Sequence, residues 1–138
     1  MILLDSNVFS ALMTPTPNPN VERWINSVPS SAVWTTSVTI YEIELGIESL
    51  PAGRRQSNLR LSFESLRRGL LGRRIAPFDT AAAECAGILA AERKRLGRNF
   101  EERDTMIAGI AIAIGATIAT RNTRHFIDIA VPVVNPWE

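Results

Sequence analysis

The chain has 138 residues, 46% of them apolar and 21% charged, which fits one folded domain spanning 1–138 and excludes a disordered or fibrous protein. No apolar stretch has membrane-spanning length and the start lacks a basic signal region, so a soluble, cytoplasmic protein with no membrane contact is expected. The formal charge of +1 hides an asymmetry: Arg54, Arg55, Arg60, Arg67, Arg68, Arg73 and Arg74 crowd the middle third, while Asp5, Glu42, Glu101, Glu102 and Asp104 lie elsewhere.

In chain order, Met1-Ile2-Leu3-Leu4 is a short unbroken apolar run ending in Asp5-Ser6-Asn7. Such a run reads as a central parallel strand, covered on both faces, that delivers Asp5 to its carboxyl end. Open α/β sheets bind ligands there. Ser6 and Asn7 add a hydroxyl and an amide, and Asp5 or Ser6 can equally serve as the cap of the next helix, Val8 to Met13. Pro15-Thr16-Pro17-Asn18-Pro19 forbids regular structure and reads as an exposed connection. Asn20 is placed to cap a helix through Val21, Trp24 and Ile25, and Ala32 to Val38 is the second strand.

A helix is predicted over Thr39–Leu50. Glu44 and Glu48 share its solvated flank, whereas Glu42, about 200° around from Glu44, points inward. The alternative for Glu42 is a capping box with Thr39. From Gly53 onward, Leu59, Phe63, Leu66 and Leu70 repeat at helical spacing in a basic amphipathic helix closed by Gly69 and Gly72. Its arginines form either a solvated face or a groove for phosphates or an acidic peptide. Arg74 to Asp79 is a short strand, which Pro77 assigns to a sheet edge. Thr80 to Leu96 is an Ala-rich helix stopped by Gly97, with Arg93, Lys94 and Arg95 complementing its carboxyl end. Cys85, the single cysteine, allows no internal disulfide, fits a reducing compartment and reads as a small core residue.

Met106, Ile107, Ile110 and Ile114 mark a further helix ended by Gly115, with Ala108 and Ala111 allowing close packing on the sheet. Asp104 falls in its first turn, where it faces the strand ends or complements the helix dipole. Ala116 to Thr120 is a fourth strand ending in Arg121-Asn122, and Val131 to Trp137 is a last extended piece. Strand and helix alternate throughout, which argues a parallel βαβ sheet.

Asp5, Glu42 and Asp104 thus fall on one carboxyl edge. Three carboxylates together repel unless a hard divalent ion joins them, and with no Cys or His cluster the oxygen ligands favour Mg2+ or Mn2+. Such a site suits phosphodiester hydrolysis.

Residues Met1 to Val8, Ser37 to Ile43 followed by Gly46, and Arg74 to Asp79 carry an end-to-end resemblance. It continues through Asp104 with Ile107-Ala108, Ala119 to Asn122, and Asn135-Pro136-Trp137. By these motifs the chain resembles the PIN-domain ribonucleases, and among them the VapC and FitB-like toxins of type II toxin–antitoxin systems. The resemblance implies an α/β PIN domain, a small central parallel β-sheet flanked by helices, paired as a homodimer and cleaving RNA with Mg2+ or Mn2+. Asp5, Glu42 and Asp104 take the positions of the metal-binding catalytic acids, supported by Ser6, Asn7, Thr120 and Asn122. Several relatives carry Asp where Asn122 stands, and many carry an acid where His125 stands. Three carboxylates imply one firmly held ion and a weaker second. His125 reads as an isolated surface histidine or, protonated, as a phosphate contact.

Arg54, Arg55, Arg67, Arg68 and Arg121 are the candidate contacts to RNA or antitoxin. The resemblance also implies a cognate antitoxin wrapped around the toxin in a heterotetramer or larger assembly, with DNA reached only through it. A phosphohydrolase of the haloacid-dehalogenase type would need an acid where Asn7 stands. The alternative from another class is a nuclease-inactive PIN module that binds an antitoxin and assists autoregulation.

Overall fold

In a computed structural model covering residues 1–138, five parallel strands form one sheet in the order β3-β2-β1-β4-β5. They are β1 (Ile2–Leu4), β2 (Val33–Thr36), β3 (Ile75–Ala76), β4 (Thr117–Ala119) and β5 (Val133–Val134). From β1 the chain steps outward to β2 and β3, then returns to the other side of β1 for β4 and β5. The order therefore reverses between β1 and β4, the point where open parallel sheets leave a ligand crevice.

The helices are α1 (Ser6–Leu12), α2 (Pro19–Ser27), α3 (Ser37–Glu48), α4 (Arg54–Leu66), α5 (Thr80–Arg95) and α6 (Glu102–Ile114). Alternation along β1 sends Leu3 into a core with Ile107, Ala108, Ala111, Ile118 and Phe126, under α5 and α6. Leu4 points the other way, into a core of Val8, Phe9, Val21, Ile43 and Phe63 from α1 to α4. The apolar run of β1 is continuous because both faces are covered. β3 lies at an edge of the sheet, as Pro77 implied.

Several boundaries differ from the sequence reading. Pro19 is the first residue of α2, not part of an exposed connection, because proline suits a helix's first turn. The cap is therefore Asn18, whose side chain accepts from the Asn20 and Val21 N–H groups, rather than Asn20. Helix α3 starts at Ser37, so Ser37 and Val38 belong to it and not to the strand. Thr36 caps it by accepting from the Thr39 N–H at 3.0 Å. Thr39 lies inside the helix, which removes the capping-box alternative for Glu42.

Gly69 does not end α4. The chain passes it in a π-helical turn, Arg67–Leu71, and Gly72 (φ 56°) ends the segment. Cys85 is only half-buried and lies outside both cores.

Candidate active site

Asp5 is positioned from both sides of the switch point. Its backbone N–H donates to the Ala119 carbonyl at 3.0 Å, which continues the β1–β4 ladder to the strand ends. The side chain caps α1 by accepting from the Ser6 N–H at 2.8 Å, so capping and site roles coincide in one residue. Thr120, the residue after β4, donates its hydroxyl to the other Asp5 oxygen at 2.8 Å. The Asn7 amide donates to Asp5 and to Thr120 Oγ1 at 3.3 and 3.2 Å, and its oxygen accepts from the Arg121 N–H at 3.2 Å. The Asn122 N–H also donates to Thr120 Oγ1. Asp5 is 4% exposed, and its orientation is fixed by this lattice.

Glu42 enters from the second turn of α3. One carboxylate oxygen, Oε1, is buried with no hydrogen-bond partner, and Oε2 lies 4.0 Å from Arg103 Nε on α6. A buried, unpartnered carboxylate oxygen is costly unless something else binds it. Burial first, and then the Asp5 charge, push the Glu42 carboxyl up to about 7, against the pull of Arg103. Burial also raises Asp5, opposed by the bonds from Thr120 and Ser6, while Asp104 raises it further and His125 lowers it. Asp104, in the first turn of α6, has Oδ2 2.8 Å from Nδ1 of His125.

All three acids line one open cavity of about 590 Å³ with Ser6, Asn7, Asn122, Arg121 and His125. The donors are oxygens, one of them orphaned, and the negative charges act on one another, so the set fits a hard divalent cation. No three acids or imidazoles stand together ready to hold an ion. Each acid is turned to a separate partner: Asp5 to Thr120, Glu42 towards Arg103, and Asp104 to His125.

The PIN domain family matches residues 2–132, nearly the whole chain. The chain belongs to the PIN domain family.

This PIN domain is 36% identical over 138 residues to "Plasmid stability protein StbB" of Pseudomonas syringae pv. tomato, covering 100% of this chain and 99% of that one. It is 33% identical over 138 residues to "VapC ribonuclease Y4jK" of Sinorhizobium fredii, with 100% and 99% covered. It is 34% identical over 137 residues to "Toxin FitB" of Neisseria gonorrhoeae, with 99% of each covered. Among solved structures it is similar to FitAB bound to an IR36 DNA fragment, with TM-score 0.89, 34% identity, and 100% and 96% of the chains covered.

Of the arginines singled out in this PIN domain, Arg121 borders the acid cavity, its guanidinium 5.3 Å from the Trp137 ring centroid. Arg55 lines an adjoining hollow with Glu42 and Ser6, and Arg54 lies next to it along α4. Arg67 and Arg68, on the π-helical turn, line none of these hollows, so they are not gathered with the site.

His125 is not an isolated surface histidine, because the short turn Thr123–Phe126 folds it onto Asp104. Arg93, a helix-end cation by sequence, is 3% exposed and donates to both Asp128 oxygens, to Thr105 Oγ1 and to the His125 carbonyl. The signal for Arg93 was present: it continues the Ala82, Ala86, Leu89 stripe at helical spacing and so points inward. Arg103, opposite Glu42, carried no local signal, since its role depends on how α6 meets α3.

Proposed function

We propose that this PIN domain is the toxin of a type II toxin–antitoxin pair and a metal-dependent ribonuclease whose catalytic acids are Asp5, Glu42 and Asp104. The observation that carries the reading is that these three carboxylates line one cavity at the switch point, with a Glu42 oxygen left without a partner. Asp5, Glu42 and Asp104 would hold a magnesium or manganese ion. When bound, the ion supplies an activated water and neutralises charge on the phosphodiester.

The protein's own groups do the positioning. Thr120, Ser6 and Asn7 fix the Asp5 carboxylate, and His125 fixes Asp104. Asn122, at the cavity rim, offers an amide to a phosphate oxygen or a metal-bound water without adding charge. Arg121, Arg55 and Arg54 border the cavity and its flank with positive charge that attracts the RNA backbone.

The partner is a cognate antitoxin, and an arginine from it would complement the acid cavity. Support comes from the similarity to the FitB toxin of Neisseria gonorrhoeae and to the FitAB and FitAcB structures at 34% and 33% identity. The protein acts as a homodimer within a heterotetramer or larger assembly, in the cytoplasm where its RNA substrate is, and meets DNA through the antitoxin. No helix is long and apolar enough to cross a membrane.

The test is cleavage of a mixed RNA pool by antitoxin-free protein in Mg2+, Mn2+ or EDTA, beside Asp5→Asn. Cleavage that needs metal and is lost in the variant is the expected result. Equal inertness of folded wild type and variant would sink the nuclease reading and leave an antitoxin-binding module.

A further inference from the structure

Beside the acid cavity lies a second hollow of about 440 Å³, and the two share Glu101, Asp104 and His125 as a common wall. We infer that this hollow, with Phe100, Arg98 and Arg124 around it, is a nucleotide subsite for single-stranded RNA next to the scissile phosphate. The base lies against Phe100 and a phosphate against the two arginines.

Phe100 sits in the segment between α5 and α6 with 37% of its surface open, large exposure for an aromatic ring. The ring is held from within. The Arg93 guanidinium lies 5.8 Å from its centroid, and Arg93 is itself pinned by Asp128, Thr105 and the His125 carbonyl. A fixed, half-open aromatic face is a platform on which any base can stack.

The two arginines are available for phosphate. Arg124 is exposed and forms no ion pair with any carboxylate of the chain. Arg98 reaches Asp128 only at 3.4 Å, and both oxygens of that carboxylate already accept from Arg93 at 2.8 Å. Arginine's planar fork suits a phosphate diester.

Continuity with the acid cavity decides the class of occupant. The shared Asp104–His125 wall gives an RNA strand whose scissile phosphate lies at the acids a direct path into this hollow. There it meets an aromatic face and two cations, which are the groups a nucleotide uses. An acidic peptide would use the cations but leave the ring idle.

The inference rests on the ribonuclease reading, and its test separates the two. Binding of a short fluorescein-labelled single-stranded RNA is followed by anisotropy across a salt series in the Asp5→Asn background. Phe100→Leu and Arg124→Ala are each added, with Arg68→Ala as a remote loss of equal charge. Phe100→Leu should weaken binding about tenfold. Arg124→Ala should weaken it and lower the salt slope by about 1, while Arg68→Ala leaves the slope unchanged. In the otherwise wild-type enzyme both should raise KM for RNA with kcat retained.

Phe100 and Arg124 are open to solvent, and thermal melts matching the parent would establish that folding is intact. If wild type cleaves RNA and the Phe100 and Arg124 variants bind it like their parent, the subsite is wrong although the nuclease stands. Loss of antitoxin binding with RNA binding intact would assign the hollow to the protein partner and overturn the inference. If wild type never cleaves under any metal condition, the nuclease reading fails and overturns with it a subsite placed beside a scissile phosphate.

Discussion

Nδ1 of His125 lies 2.8 Å from Oδ2 of Asp104, joining the turn after β4 to the first turn of α6 at the wall of the acid cavity. An ionised carboxylate only accepts, so with Asp104 ionised the imidazole carries its proton on Nδ1 and donates. A group hydrogen-bonded in this way to a metal-ligating carboxylate orients it, and losing such a partner costs about 10- to 100-fold in metal affinity. His125→Ala should therefore raise the Mn2+ concentration at half-maximal thermal stabilisation by about tenfold, with little change in the metal-free melting temperature. An unchanged midpoint would reduce His125 to a bystander.

Glu42 ties the stability of the metal-free fold to pH. Its carboxyl holds a proton up to about 7 in the folded protein, against an ordinary value of 4.5. A group that binds its proton more tightly folded than unfolded makes the fold lose stability as pH rises between those values. Metal-free wild type should thus be less stable at pH 8 than at pH 5 by on the order of 2 kcal/mol from Glu42 alone, with buried Asp5 adding in the same direction. Glu42→Gln should flatten this fall and melt higher than wild type in EDTA at pH 8. Adding Mn2+ should raise wild type and leave the variant nearly unmoved. Parallel pH curves for the two proteins would contradict the assignment.

The main frame was readable from local pattern. The apolar run before Asp5, the inward angle of Glu42 and the first-turn place of Asp104 are local features, and all three acids line one cavity. The boundaries that moved did so for local reasons too, since Thr36 and Asn18 outcompete Thr39 and Asn20 as caps. What stayed hidden depends on contacts far apart in sequence, such as Arg93 with Asp128 and His125 with Asp104. The sole histidine looked solitary because its partner lies on another element.

Buried Arg93 and the partly exposed Asp128 form a fork that braces α5 against the loop bearing His125. The Arg93 bonds hold the Asp128 carboxyl below its ordinary value. A carboxylate depressed by folding contributes stability that is present above its unfolded pKa and is lost as pH falls through the folded one. Asp128→Ala strands a buried guanidinium and should cost about 3 kcal/mol at pH 7. The gap between wild type and variant in urea midpoints should narrow below about pH 4, where the unfolded carboxyl begins to take up its proton. A gap independent of pH would mean that Asp128 acts by packing and not by charge.

Gly109 sets the distance between the two helices that carry Arg93 and Asp104. A Cβ at that position would meet the Ala82 carbonyl oxygen at 2.6 Å, the Ala86 Cβ at 2.7 Å and the Ala86 nitrogen at 2.9 Å. Two of those atoms are backbone, so relief requires α5 and α6 to separate. Alanine gains about 1 kcal/mol over glycine in a helix interior, while overpacking a tight contact costs about 1–3 kcal/mol and sometimes more. With three contacts this short the second effect wins, and Gly109→Ala should lose about 2 kcal/mol.

Gly87, on the exposed side of α5, has nothing within 4 Å of a built Cβ, so Gly87→Ala should gain up to about 1 kcal/mol. The pair isolates packing from propensity, since both replace a helical glycine with the same residue. Separation of the helices also shifts Asp104 and stretches the Arg93–Thr105 bond, so Gly109→Ala should show a smaller Mn2+-induced rise in melting temperature while Gly87→Ala keeps the full rise. If both variants gained stability, the close approach of α5 and α6 would not be what holds Asp104 at the cavity.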